Sequence, residues 1–345
     1  MIVFNSFWIF VLLVVIHTDA IDDNAWEKFK NEYNRKYSER EDQQRKGIFE
    51  KNSQLIEDHN KQNHAFTLKI NQFGDWTHEE FIKYIGQSYT LETPENQNYL
   101  DNSPTDEALL LNKINTAIDL REKGWVSEVK DQGEKSVSGW AFSMTGAIEG
   151  QIFKTQEKCP QQPVQSLSEQ FLIDCYDQKN EVKVEFKNVL SFVKNRGIYT
   201  EKLYNLVKQL NVTCPEENYP IEVSVLFNDL TTKEASETKI KKELYGSENS
   251  VPATVDASHQ SFQFYHTGIY NEQKCSTKSQ IASQAVLIVG YNEMDSNAKH
   301  WLVKNSLGKT WGEEGYMKIA YGTCGIETQA CTVSAKRSFC DCKVK

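Results

Sequence analysis

The sequence predicts an α+β protein in which a small α-helical domain precedes a larger mixed one. Residues 24–85 are charged and carry aromatic residues at helical steps, while Leu68–Asp75 within them alternates like a short strand. The rest of the 345-residue chain is long enough for one large domain or two modest ones. Composition agrees: 39% hydrophobic residues with 17 Gly and 7 Pro is neither disordered nor fibrous. A net charge of −9 argues against a nucleic-acid partner, which needs a basic face.

In chain order, the first feature is the apolar run Phe7–Ile16. It is too short for a bilayer, which takes roughly 20 residues. Small Ala20 and the abrupt polar change from Asp19 to Asn24 make residues 1–20 a secretory signal peptide, cut near Ala20–Ile21. No later segment is apolar enough to anchor, so the expectation is a soluble protein without membrane contact. It would be secreted, or delivered to a lysosomal or endosomal lumen. In an oxidising compartment the eight cysteines should be paired. Asn211-Val212-Thr213 is a glycosylation acceptor.

Trp26, Phe29 and Tyr33 recur at helical spacing and predict a first amphipathic helix. Glu41, Arg45, Phe49, Asn52, Ile56 and Asn60 then step along one face of a long helix. Packing alone does not ask for that mix of acid, base, aromatic and two Asn. Leu68 to Asp75, with Asn71 and Phe73, should form a short strand ending at a turn. Thr77 and Glu80 form a capping-box pattern for a short helix. Residues 86–113 lack periodicity and read as an exposed linker and processing region.

The helical stripe, followed by Asn71, Phe73 and Asp75, resembles the propeptide inhibitor domain of cathepsin L-like cysteine proteases, here residues 21–85. The resemblance continues from Ile118 to about Ala335 and sets a domain over 114–337, with a Cys-containing tail at 338–345. Among its blocks are Gln132-Gly133, Trp140-Ala-Phe-Ser143, Ser166-Leu-Ser-Glu-Gln170, Asp174-Cys175, Ala285–Tyr291 and Asn305-Ser306. It implies the papain-like two-lobed fold, a helical lobe and a β-barrel-like lobe with a cleft between them. It also implies disulfides Cys175–Cys214 and Cys275–Cys324, and puts Gln329 on the floor of the main specificity pocket. Cys159, Cys331, Cys340 and Cys342 occupy no family position, and their three pairings stay open. Metal binding by Cys340 and Cys342 has little support, and no cofactor is expected.

A site of this family needs a thiolate at a helix N-terminus, a His that moves the proton, an Asn that orients the His, and a Gln for the oxyanion. The oxyanion position holds Gln132 and the orienting position Asn305, but the nucleophile position is Gly139 and the base position Gln284. Leu307 replaces the Trp that shields the Asn–His bond, and Ser136 replaces the Cys four residues before Trp140. The stretch that carries that Cys's partner and a wall of the cleft is missing after Cys175. Ser138 is the candidate substitute nucleophile, but a Ser depends on a base more than a Cys does. The expectation is a monomeric, proteolytically inactive homologue that holds a peptide, a protein ligand or a protease inhibitor in its degenerate cleft. The alternatives are an N-terminal domain that inhibits active cathepsins, and a residual hydrolase using Ser138.

Overall fold

The computed structural model describes residues 23–86, 116–133, 138–156, 166–176, 184, 186–205, 214, 225–226, 236–276, 284–328, 330–331, 333 and 336–337. The expected leader at 1–20, nearly all of the linker, Asn211, Gln329, Cys159, Cys340 and Cys342 lie outside the described residues.

The N-terminal domain comprises α1 (Asp23–Glu32), α2 (Glu39–Asn60), β1 (Phe66–Leu68) and α3 (His78–Ile85). Trp26 and Phe29 of α1 bury against Phe49 of α2, with ring centroids 5.4 and 5.0 Å away. The capping box forms: the Thr77 hydroxyl accepts from the Glu80 N–H at 3.2 Å, and the Glu80 carboxylate accepts from the Thr77 N–H at 2.8 Å. One expectation needs correcting. The strand spans Phe66–Leu68 rather than Leu68–Asp75, and the Asn71–Asp75 stretch is a series of turns. Pairing to a distant strand sets where β1 lies, which local alternation does not report.

The larger part begins with β2 (Ala117–Asp119), then α4 (Gly139–Gln156), α5 (Glu169–Cys175), α6 (Phe186–Arg196) and β3 (Val225–Leu226). Next come α7 (Glu237–Lys241), which runs into a π-helical turn, then β4 (Val251–Val255), α8 (Gln260–Gln263), β5 (Tyr265–Tyr270) and β6 (Gln284–Asn292). The chain closes with β7 (His300–Lys304), β8 (Tyr316–Ala320) and β9 (Lys336–Arg337). The main sheet has the order β1-β5-β8-β7-β6-β2, and β4 also pairs with β6.

β6 explains how two lobes share one sheet. Successive side chains of a strand point to opposite faces. Ala285, Leu287 and Val289 pack into the helical core with Met144, Ile148 and Phe171, while Val286 and Ile288 pack into the sheet core with Trp301 and Trp311. Both faces are buried, so the strand carries an unbroken apolar run from Ala285 to Val289. Gly290 lets β2 approach: a Cβ there would sit 2.2 Å from the Ile118 carbonyl oxygen. Phe73, Phe81 and Ile85 join the same sheet core, so the N-terminal domain is packed onto this lobe.

Disulfides link Cys175 to Cys214 and Cys275 to Cys324. The expectation that every cysteine is paired fails at Cys331, which is a buried free thiol. Its backbone is fixed beside β4, where its N–H donates to the Pro252 carbonyl.

Candidate functional site

The four family positions Gln132, Gly139, Gln284 and Asn305 come together. Gly139 is the first residue of α4, and Gln284 is the first of β6. A Cβ on Gly139 would lie 3.1 Å from Gln284 Nε2 and 3.2 Å from Gln132 Oε1. A side chain at 139 would therefore face Gln284 and Gln132 directly, at the positive end of the α4 dipole.

The residues present knit into a network of neutral groups. Gln284 Nε2 donates to Asn305 Oδ1 at 2.9 Å and lies 3.2 Å from both Gln132 Oε1 and Ser306 Oγ. Ser306 Oγ donates to Gln132 Oε1 at 2.7 Å, and Asn305 Oδ1 also accepts from the Ser306 N–H at 2.8 Å. Gln132 and Gln284 are fully buried. Amides and a hydroxyl neither take nor release a proton near neutral pH. The sequence places Ser306 in the block beside Asn305 but gives it no role in the site.

Three buried atoms of this site lack a hydrogen-bond partner among the described residues: Ser138 Oγ, Gln284 Oε1 and Asn305 Nδ2. Each such atom costs about 1–3 kcal/mol of fold stability. For Ser138 the consequence is chemical: the hydroxyl is buried and bonded to no base. His259 faces Asp256 at 3.8 Å, and His300 Nδ1 donates to the Ala298 carbonyl at 2.7 Å.

Behind Asn305 lies a buried charged cluster that sequence reading did not single out. Lys130 Nζ pairs with Glu169 at 2.7 Å and Glu201 at 3.1 Å, and Thr145 donates to Glu169 at 2.7 Å. Lys304 Nζ donates to Ser127 Oγ at 2.9 Å. Burial pushes the Lys304 ammonium down to about 8 and raises the Glu169 carboxyl. A charged residue next to Asn305 in a buried strand was the available signal.

The N-terminal stripe supplies specific contacts. Arg45 forks onto Glu80 at 2.7 and 2.8 Å. Asn52 Nδ2 donates to the carbonyls of Gly74 and Trp76, and Asn60 exchanges two hydrogen bonds with Leu68. Phe49 and Ile56 are core residues, whereas Glu41 is exposed. Asn71 Nδ2 donates to the Gln263 carbonyl at 2.8 Å, and Phe73 is buried. Asp75 is fully buried against Tyr37 and Arg35, and desolvation raises its pKa.

Asp256, His259 and Cys275 lie close enough to suggest a metal, but Cys275 is disulfide-bonded and offers no thiolate. Among the described residues no helix is long and apolar enough to cross a membrane.

The chain resembles known proteins along most of its length. The family described as "Papain family cysteine protease" matches residues 114–334, and "Cathepsin propeptide inhibitor domain (I29)" matches 26–81. Human "Cathepsin L2" is 35% identical, over 95% of this chain and 97% of its own length. Rat "Procathepsin L" is 36% identical, over 90% and 92%. The structure of digestive procathepsin L 3 from Tenebrio molitor larval midgut superposes with a TM-score of 0.71 at 31% identity, covering 90% of this chain and 98% of that one.

Proposed function

Because the chain belongs to the papain family of cysteine proteases and carries that family's propeptide inhibitor domain, we propose that it is a member that binds without cutting. The observation that carries this reading is the geometry around Gly139. The residue at the α4 N-terminus has no side chain, and the group facing it is the amide of Gln284. Nothing in that cluster can attack a carbonyl or accept a proton at neutral pH. The partner is a peptide, a protein ligand or a protease inhibitor held in the cleft. Secretion as a monomeric glycoprotein belongs to the same proposal and rests on the opening apolar run and on Asn211.

The test is turnover of peptide substrates at pH 4–7 after forced removal of residues up to about 113, alongside Ser138→Ala. No turnover above a mock-purified blank is expected. Turnover that disappears in Ser138→Ala would instead mean a site rebuilt around serine. An active protease could remove its own propeptide; this chain should stay full-length when purified alone and acidified.

A second reading concerns the N-terminal domain as an inhibitor of active cathepsins. The intact contacts of Arg45, Asn52, Asn60 and Asn71 favour it. Residues 21–85 added to an active relative should slow it, and no effect at about micromolar concentration would remove the idea.

A further inference from the structure

A group of metal-binding side chains lies on the sheet lobe, where the residues after β4 meet those after β5 and β8. Asp256, His259 and Cys275 offer a carboxylate oxygen, an imidazole nitrogen and a sulfur that all lie within 4.8 Å of one another. His259 Nε2 and Asp256 Oδ2 are 3.8 Å apart. Cys324 adds a fourth donor, because its sulfur is bonded to that of Cys275. While the bridge is closed neither sulfur is a thiolate, so only the oxygen and the nitrogen can hold a metal.

The chain keeps these four residues together without the bridge. The Asp256 N–H donates to the Cys324 carbonyl at 2.9 Å. The N–H of Ser276, next to Cys275, donates to Asp256 Oδ2 at 2.8 Å, and the Ser258 N–H donates to Asp256 Oδ1 at 3.0 Å. Each carboxylate oxygen keeps a further lone pair. Asp256 and Cys324 are buried, whereas His259 and Cys275 are half-buried. A reductant and a metal ion can therefore reach the cluster from the His259 and Cys275 side.

We propose that opening the Cys275–Cys324 bridge turns this cluster into a tetrahedral zinc site with Asp256, His259, Cys275 and Cys324 as its ligands. The reductant is a dithiol. It leaves as its own disulfide, its two electrons reduce the bridge, and its two thiol protons pass to Cys275 and Cys324. Zinc then displaces those two protons and binds two thiolates, a carboxylate and a neutral imidazole. Donor atoms around a tetrahedral zinc stand about 3–4 Å apart, so the sulfurs separate and the oxygen and nitrogen close in by about 1 Å each. Sulfur and imidazole donors favour zinc over calcium or magnesium, which take oxygen. Glu272 lies close enough to His259 for their charges to interact, which adds attraction for a cation. The site shares no residue with the Gly139 cluster, so it does not depend on whether the cleft cuts peptides.

The experiment reduces the full chain with a phosphine, removes the reductant under argon, and labels with iodoacetamide in the presence of Zn2+ or EDTA. Each cysteine is read from its own peptide by mass spectrometry. Excess Zn2+ should slow labelling of Cys275 and Cys324 at least about tenfold, the factor by which ten dissociation constants of free metal deplete the unbound thiols. Cys331, buried elsewhere, should stay unlabelled in the zinc sample and so report that the chain is folded. His259→Gln should remove most of the protection, and His300→Gln should leave it unchanged. X-ray absorption of the zinc-loaded chain, which needs no variant, should show two sulfur and two lighter neighbours per metal. Equal labelling with Zn2+ and EDTA, protection confined to other cysteines, protection that survives His259→Gln, Cys331 labelling with zinc present, or three or more sulfurs around the metal would each overturn the site.

Discussion

A missing side chain at position 139 determines what the positive end of α4 can do. Gly139→Cys would place a thiol in the helix field, which lowers thiol pKa, but the group 3.1 Å from its Cβ would still be the Gln284 amide. Gly139→Cys alone should therefore stay at background in a peptide-cleavage assay. Gly139→Cys with Gln284→His should exceed it by at least about 10²-fold, the low end of what a positioned base contributes. Equal rates for the two would show that Gln284 is not what blocks the chemistry. Cys331 gives a second prediction at this scale. Its buried thiol is pushed well above the usual range, so almost no thiolate forms. Iodoacetamide should label Cys331 only after unfolding, as read by mass spectrometry of its peptide. Fast labelling of the native protein would contradict that burial.

At the scale of elements, α2 separates two kinds of stabilisation. Asn52 satisfies the carbonyls of Gly74 and Trp76 from a buried position, so Asn52→Ala strands the first and leaves the second only the long 3.5 Å contact from Gln263 Nε2. It should cost about 2–3 kcal/mol in urea unfolding, against about 1 kcal/mol for the cap variant Thr77→Ala. Equal losses would mean that water replaces the Asn52 amide. The same comparison shows what was legible. Arg45, Phe49, Asn52, Ile56 and Asn60 could be placed on one face because helical steps are set locally, and the Thr77 cap is closed by a residue three positions on. β1 was placed too late because its position depends on β5, about 200 residues away. The Gly139 and Gln284 positions were readable because each sits in a block with fixed neighbours, Trp140-Ala-Phe-Ser143 and Ala285-Val286. The hydrogen bond between Gln284 and Ser306 was not, since it requires β6 and the residues after β7 to meet.

For the whole molecule, the interface between lobes is a buried plane shared by β6 and the helices, and it encloses charge as well as hydrocarbon. Lys130, Glu169 and Lys304 come from separate segments, so no local pattern announces the cluster. Lys304 lets its electrostatics be measured. Its folded pKa of about 8 lies below the ordinary 10.5, because burial disfavours the ammonium. Below pH 8 both folded and unfolded chains hold this proton, and the fold bears the full desolvation cost. As pH rises from 8 towards 10.5 the folded chain releases the proton first, so that cost shrinks and stability rises. Other groups titrate in the same range, but their contributions largely cancel against a Lys304→Gln variant, provided the sites act independently. Between about pH 7.5 and 9.5 the unfolding free energy of the unmodified chain should gain about 2 kcal/mol on that of Lys304→Gln. Urea unfolding of both proteins at the two pH values measures the gain. A constant difference would show that the Lys304 ammonium stays solvated or fully paired within the cluster, and the lobes would then be held together across a wetter seam than the packing around Asn305 implies.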